Sequence, residues 1–321
     1  AENQRLVEAF LRGAEVGQAA AQAPSDHRAG YVAVVGKPNV GKSTLMNAFL
    51  GEKLAIVSPK PQTTRQNQIG ILTRADAQVI FVDTPGIHEP RTKLGKYMVE
   101  AASEALRDAD VILFIVDVSR PPDRADERIA ALVKQRRAPV LLALNKADLL
   151  PEGEAESRAE AYRALLPSAR PMLLSATGGL NRDALLQMIV EALPRGPRYF
   201  PEEQLTETHV RDSVAEIIRE QVLHLYNQEV PHAVAVQVEQ FKEREDNMTY
   251  VAATIYVERD SQKGILIGSG GAALKEVGRR SREQLELILG TRVFIELWVK
   301  VLKNWRKDEK ALRRLGYRQQ R

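Results

Sequence analysis

Residues Gly36-Lys37-Pro38-Asn39-Val40-Gly41-Lys42-Ser43 fit G-x-x-x-x-G-K-[ST], a pattern whose chemistry requires a strand before it and a helix after it. Both are expected. Tyr31 to Val35 is a short apolar, β-branched run that reads as a buried strand, and Thr44 to Leu50 has helical spacing of apolar positions. The loop then curls at a helix N-terminus, where unpaired N–H groups and the helix dipole favour an anion. Lys42 is expected to reach the β/γ-phosphates of a nucleotide and Ser43 to ligate Mg²⁺.

Later segments supply matching parts in a fixed order. Val79 to Asp83 reads as a second buried strand ending in a carboxylate, followed by Thr84-Pro85-Gly86. Asp83 is expected to hold the Mg²⁺ hydration shell, and the Gly86 N–H to meet the γ-phosphate. The loop from Ser58 to Arg65 is polar and proline-broken, and it is the expected first switch, with Thr64 rather than Thr63 turned to the metal. Ile87 to Lys96 is the expected second switch. Val140 to Leu144 runs into Asn145-Lys146-Ala147-Asp148, which fits N-K-x-D. The Asp148 carboxylate can accept from N1–H and the 2-amino group of guanine, donors that adenine lacks. Asn145 is expected to brace the loop and contact the base, the Lys146 stem to cover the ring, and Ala176 in Ser175-Ala176 to offer its N–H to guanine O6. Ile87 stands where related enzymes carry a water-orienting glutamine.

The remainder sets the domain plan. The chain has 321 residues and no cysteine, so disulfides and cysteine-based metal or redox sites are excluded. No apolar run reaches membrane-spanning length and no signal pattern opens the sequence. Residues 1–29 are expected to be a mobile extension with a short amphipathic helix around Leu6, Val7, Phe10 and Leu11. Residues 30–193 alternate strand and helix signals, which predicts an α/β domain: a mainly parallel sheet with helices on both faces. Residues 194–204, opening on Pro194-Arg195-Gly196-Pro197, read as a linker. Residues 205–321 read as an α+β domain of order α-β-β-α-α-β. Its strands are expected at 230–241, 249–258 and 291–302, and its paired helices at 272–278 and 281–289.

Gly268-Ser269-Gly270-Gly271 in that domain fits G-x-x-G, a loop that lets nucleic-acid backbone approach a helix N-terminus. Lys263 to Arg321 carries 15 Lys and Arg against 6 Asp and Glu, although the whole chain is only +4, so an anionic partner is expected for this end. A protein-docking or membrane-surface role for it stays open as the alternative.

Taken together these motifs resemble the Era family of bacterial GTPases from about residue 30 to the C-terminus. Beside the nucleotide motifs the resemblance rests on Gln62-Thr63-Thr64-Arg65, on the G-x-x-G loop, and on Lys300-Val301…Trp305-Arg306…Asp308-Glu309…Leu312…Leu315-Gly316-Tyr317. It implies a P-loop GTPase domain fused to a type II KH domain, acting in small (30S) ribosomal subunit assembly. It further implies GTP and GDP as ligands, Mg²⁺ as cofactor and binding near the 3′ end of 16S rRNA. A cytoplasmic monomer partly associated with the anionic inner membrane face is expected. Asn39 resembles the residue that holds an activating potassium ion in related GTPases, so Asn39, Lys42, Thr64 and Gly86 are the expected catalytic set. RNA contact is expected from Ile265, Ile267 and Gly268 to Gly271. A basic residue common in the family's loop is replaced here by Gly270, so phosphate charge is expected from Lys263, Lys275, Arg279 and Arg280.

Overall fold

A computed structural model describes residues 26–60, 62–227, 229–244 and 247–317; the helix expected near Leu6 to Leu11 lies outside them. The chain divides into two compact units, with the break after Leu205 and with Arg91–Tyr97 grouped with the second.

The first unit is built on six strands: β1 (Arg28–Val35), β2 (Gln68–Thr73), β3 (Ala77–Asp83), β4 (Val111–Asp117), β5 (Val140–Asn145) and β6 (Arg170–Leu173). They lie in the order β2-β3-β1-β4-β5-β6, and all neighbours are parallel except β2 against β3. The central strands are apolar on both faces because helices cover both. One face packs on α1 (Lys42–Leu50) and α5 (Arg182–Ala192) through Leu45, Met46, Leu185 and Ile189. The other packs on α2 (Lys93–Asp108), α3 (Arg124–Lys134) and α4 (Ala155–Leu165) through Ala102, Leu106, Ile129, Val133 and Tyr162. The helix α2 begins inside the segment expected to be a switch loop. Strand order reverses across β1, and ligand sites in open α/β sheets form at the carboxyl ends of strands on either side of such a reversal.

The segment read as a linker is bonded along much of its length to the first unit. Pro194 O accepts from Ala29 N at 3.1 Å, and Leu205 O accepts from Ile71 N at 2.8 Å. Between them Gln78, buried in β3, accepts from the N–H groups of Tyr199 and Phe200 and donates to Phe200 O. A buried amide that satisfies three backbone groups makes this stretch part of the domain surface rather than free tether.

The second unit contains α6 (Val210–Leu225), a helical turn α7 (Val230–Ala233), β7 (Ala235–Arg244), β8 (Met248–Val257), α8 (Asp260–Ile267), α9 (Ala272–Leu289), β9 (Arg292–Val301) and α10 (Glu309–Arg314). β8 is central, antiparallel to β7 and parallel to β9. Three expectations are corrected. The strand expected from Val230 begins only at Ala235, because Pro231 sits in the first turn of α7. The two helices expected on either side of Gly278 are one, and the helix preceding them is α8, so both flank the G-x-x-G loop. Among the described residues no helix is long and apolar enough to cross a membrane.

Candidate nucleotide site and G-x-x-G groove

The loop between β1 and α1 closes on itself before it meets anything else. Gly41 adopts φ +102°, and a Cβ there would lie 2.3 Å from Asn145 Nδ2, so only glycine admits the brace that Asn145 makes. That brace runs from Asn145 Nδ2 to Val40 O at 2.7 Å, and Asn145 Oδ1 accepts from Ala176 N at 2.9 Å. One buried side chain thereby ties the P-loop to the segment after β6. The Ala176 N–H expected to face guanine O6 is already bonded and buried; to meet the base it would have to share or exchange that bond. Thr177, exposed beside it, lines the same cavity.

A cavity of about 440 Å³ is lined by residues from every nucleotide motif: Pro38, Asn39, Gly41 to Thr44, Thr64, Gly86, Asn145, Lys146, Asp148 and Ala176. Gly36, Lys37, Val40, Asp83, Thr84, Pro85 and Ser175, expected in the same site, are not among the residues that line the cavity. Thr84 is spent on structure, its hydroxyl and N–H both donating to Val34 O. The Lys37 ammonium turns to the capping box of α3, 2.8 Å from Asp123 and 2.7 Å from Asp126. Its carbonyl, with that of Gly36, receives Lys42 Nζ.

At one end of the cavity three oxygens converge. Ser43 Oγ donates to Asp83 Oδ2 at 2.6 Å, Thr64 Oγ1 donates to the same oxygen at 3.3 Å, and the two hydroxyls are 3.2 Å apart. Thr64 is buried there, whereas Thr63 turns back to the carbonyls of Ser58 and Lys60. Asp83 Oδ1 is buried with no hydrogen-bond partner. A buried carboxylate oxygen left over beside two hydroxyls is the donor set a hard divalent cation takes, directly or through water. Burial pushes the Asp83 pKa up, against Lys42, Ser43 and Thr64. Burial also lowers Lys42 to about 8, partly offset by Asp83. An ammonium so desolvated gains more from an incoming phosphate than a solvated one would.

At the opposite end Asp148 is exposed in the turn after β5. Lys146, at φ +66°, lays its ammonium 2.7 Å from Asp117 Oδ2, and Ser119 fixes the other Asp117 oxygen at 2.6 Å. Lys146 and Ser119 hold the Asp117 pKa below the usual range despite its burial. Asp117 thus sets the Lys146 stem, a role that a strand ending in a carboxylate could have suggested. Leu149, 62% exposed at the cavity rim, and Ile56 and Val57 were also not anticipated, whereas Ser58 and Pro59 open the expected first switch. Nor was the role of His88, which lies in the expected second switch segment. Its Nδ1–H donates to Gly86 O at 3.0 Å, which leaves Nε2 to accept from Gln62 at 3.3 Å, so it bridges the two switch segments. Ile87 is buried in the core under α2 and cannot position water.

In the second unit Gly268 has φ +71°, and a Cβ there would lie 2.6 Å from Ala273 Cβ, so the loop folds tightly onto the first turn of α9. That helix has no side-chain cap at its N-terminus. Beside it lies a groove of about 630 Å³, walled by Leu274, Lys275, Gly278, Arg279 and Arg282 of α9 and floored by Ile295 and Leu297 of β9. Ile265 and Ile267 do not line it: Ile265 faces a separate cavity with Tyr226, and Ile267 packs toward the core. They sit on α8, whose turn carries them away, and nothing before the loop in sequence shows that. Arg279 is held by Glu276 at 2.7 Å and Glu283 at 2.5 Å, and Arg280 by Glu276 at 2.7 Å. Of the four expected cations Lys275 is the one that both lines the groove and makes no ion pair among the described residues.

A family model described as 50S ribosome-binding GTPase matches residues 31–146, and one described as KH domain matches residues 229–306. The chain is 46% identical over 293 residues to GTPase Era of Staphylococcus haemolyticus, covering 91% of this chain and 98% of that protein. Two solved structures each share 41% identity and a TM-score of 0.87, covering 91% of this chain and 100% of theirs. One is Era in complex with MgGDPNP and nucleotides 1506–1542 of 16S ribosomal RNA; the other is a point variant of Aquifex aeolicus Era bound to GDP.AlF4-.

Proposed function

The chain belongs to the Era family of GTPases, and from that premise we propose that it is a GTP-hydrolysing switch that binds 16S rRNA near its 3′ end during small-subunit assembly. The observation that carries the GTPase half is the single cavity in which Lys42, Ser43 and Thr64 meet at one end and Asp148 at the other. A guanine nucleotide laid along it has its base on Asp148 and its phosphates on the P-loop N–H groups and Lys42. Ser43, Thr64 and Asp83 would hold Mg²⁺, which supplies charge neutralisation at the β/γ-phosphates. Thr64 and Gly86 then report the γ-phosphate: each is on a switch segment, and Gln62 and His88 link those segments. The structure of Era with 16S nucleotides 1506–1542 supports the RNA reading, with the groove beside Gly268 to Gly271 as the seat of a short single strand. The protein works as a monomer in the cytoplasm, a compartment that suits a chain without cysteine.

Buried Ile87 leaves hydrolysis without its own water-orienting amide. Asn39 offers the substitute. Its Nδ2 donates to Pro59 O at 2.6 Å, which leaves the amide oxygen as the atom available to a cation at the cavity wall. A potassium ion there would supply charge stabilisation next to the phosphates. Hydrolysis measured in potassium and in sodium at matched ionic strength is expected to be faster in potassium, with the difference lost in Asn39→Ala. Equal rates in the two salts would remove potassium from the mechanism.

A further inference from the structure

Among the described residues, the side-chain amides that line the nucleotide cavity are Asn39, Gln62 and Asn145. Two already have duties. Asn145 is spent at both ends, on Val40 O and Ala176 N. Asn39 gives its Nδ2 to Pro59 O and its oxygen to the cation proposed above. Gln62 keeps an amide oxygen that makes no hydrogen bond among the described residues. Its orientation is set from outside the cavity. Gly86 O can only accept, so His88 Nδ1 carries the proton in the 3.0 Å contact between them. In the neutral ring Nε2 is then an acceptor, and only the NH2 end of Gln62 can face it, at 3.3 Å. The Gln62 oxygen is therefore turned away from His88. The Gln62 backbone stands at φ +63°, in the left-handed region that glutamine rarely adopts. Strain of that kind, held by the surrounding structure, gathers at active sites. The place is the phosphate end of the cavity. Gln62 stands two residues before Thr64, whose hydroxyl is 3.3 Å from Asp83 Oδ2. Through His88 it is joined to the Gly86 peptide, which abuts the P-loop so closely that a Cβ on Gly86 would lie 2.6 Å from Pro38 N.

On the GTPase reading above, we propose that Gln62 is the catalytic residue that orients the attacking water, and that His88 is a positioning residue acting through it. Ile87, buried under α2, leaves this duty unfilled by the second switch, and a cation beside Asn39 stabilises charge without aiming a nucleophile. Gln62 supplies the missing amide from the first switch. Its oxygen accepts a hydrogen bond from the water and takes no proton. The water oxygen bonds to the γ-phosphorus, the bond to the β,γ-bridging oxygen breaks, and GDP and dihydrogen phosphate leave. His88 holds the amide while it is itself held by Gly86 O, so the two switch segments have to be closed on each other before water is aimed.

Single-turnover GTP hydrolysis by the full chain, in potassium, tests this beside affinities for GDP, a non-hydrolysable GTP analogue and GDP with aluminium fluoride. Gln62→Ala is expected to slow hydrolysis by about 10²-fold, the scale of one lost positioning contact. Affinity for the aluminium fluoride complex should fall by a similar factor, and affinities for GDP and the analogue by less than about threefold. Gln62→Gly, which takes the positive φ without strain, should lose as much. His88→Asn keeps a donor for Gly86 O and has no atom at the Nε2 position, whereas His88→Gln keeps an acceptor there. The first should slow hydrolysis about tenfold and the second recover most of that loss. His88→Asn added to Gln62→Ala should cost nothing further. Wild-type rates in either Gln62 variant, or a fall in GDP affinity equal to the fall in rate, would overturn the assignment of Gln62. Additive losses in the double variant would overturn the positioning role of His88. A wild-type chain that hydrolyses no GTP would overturn the GTPase reading itself, and both assignments with it.

Discussion

Lys42 carries the charge that the fold leaves most open to change. Burial lowers its pKa from the ordinary lysine value of 10.5 to about 8. Between those values the unfolded chain holds the proton more tightly, so Lys42 makes the fold gain stability as pH rises through that window. Phosphates brought beside it raise its pKa again. Binding of Mg²⁺-free GDP should therefore take up about half a proton at pH 8, and at pH 6, where Lys42 is already charged, it should release protons from the terminal phosphate instead. Calorimetry in buffers of different ionisation enthalpy measures this, and equal uptake at both pH values would exclude Lys42 as its source. At the other end of the cavity Asp148 is exposed and awaits paired donors. Asp148→Asn should weaken GTP by about 10²-fold and favour xanthosine triphosphate, since an amide matches its 2-oxo group. An unchanged preference for GTP in competition would remove Asp148 from the base site. These residues were legible because each motif fixes its own geometry: Gly41-Lys42-Ser43 and Asp148 act from the turn they stand in. His88 was not, because it acts on Gln62, 26 positions away, and no local pattern encodes that meeting; Asp117 carries a local sign, a carboxylate at a strand end, but its partner Lys146 lies 29 positions on.

Among the elements, α9 shows how a local rule was overridden. Gly278 marked a break between two helices in the sequence, since glycine costs a helix about 1 kcal/mol. The helix instead runs on from Ala272 to Leu289. A Cβ on Gly278 would touch Leu297 at 3.6 Å and Ile295 at 3.9 Å, so the glycine keeps the helix close to the groove floor while buried Val277, Leu285 and Leu289 hold it in place. The helix α8 was missed for the same reason: Gly264 and the glycines after Ile267 hid an eight-residue helix whose N-terminal box runs through Gln262. The same helix α9 limits its own cations. Arg279 and Arg280 hold the Glu276 pKa down to about 2, so Glu276 stays charged and competes with any phosphate for both guanidinium groups. Glu276→Gln should therefore raise affinity for short 16S 3′-end RNA a few-fold. Lys275→Ala should lower it and flatten the salt dependence by about 0.7 units of slope. The outcome to watch is the order: if Glu276→Gln weakens binding, the arginines are not the phosphate ligands. Direct tests by substitution in the loop are less clean, because Gly268, Gly270 and Gly271 all sit at positive φ and any side chain adds backbone strain.

At the scale of the whole molecule, the division of labour was readable from charge and motif order alone. The nucleotide motifs fall before Leu205, and the basic excess falls from Lys263 onward. What could not be read was how the chain passes between them, since the bonds of Gln78 to Tyr199 and Phe200 join positions some 120 residues apart. On the function proposed above, these features make a GTPase delivered to the 3′ end of 16S rRNA by the groove beside Gly268 to Gly271. Ultraviolet crosslinking in growing cells, with both the RNA nucleotide and the protein peptide mapped, tests this most directly. Crosslinks are expected to concentrate in the last few tens of nucleotides of 16S rRNA and to join them to peptides of α9 and β9. Crosslinks scattered over unrelated RNAs, or 16S crosslinks that fall only on peptides of the nucleotide-binding unit, would contradict it.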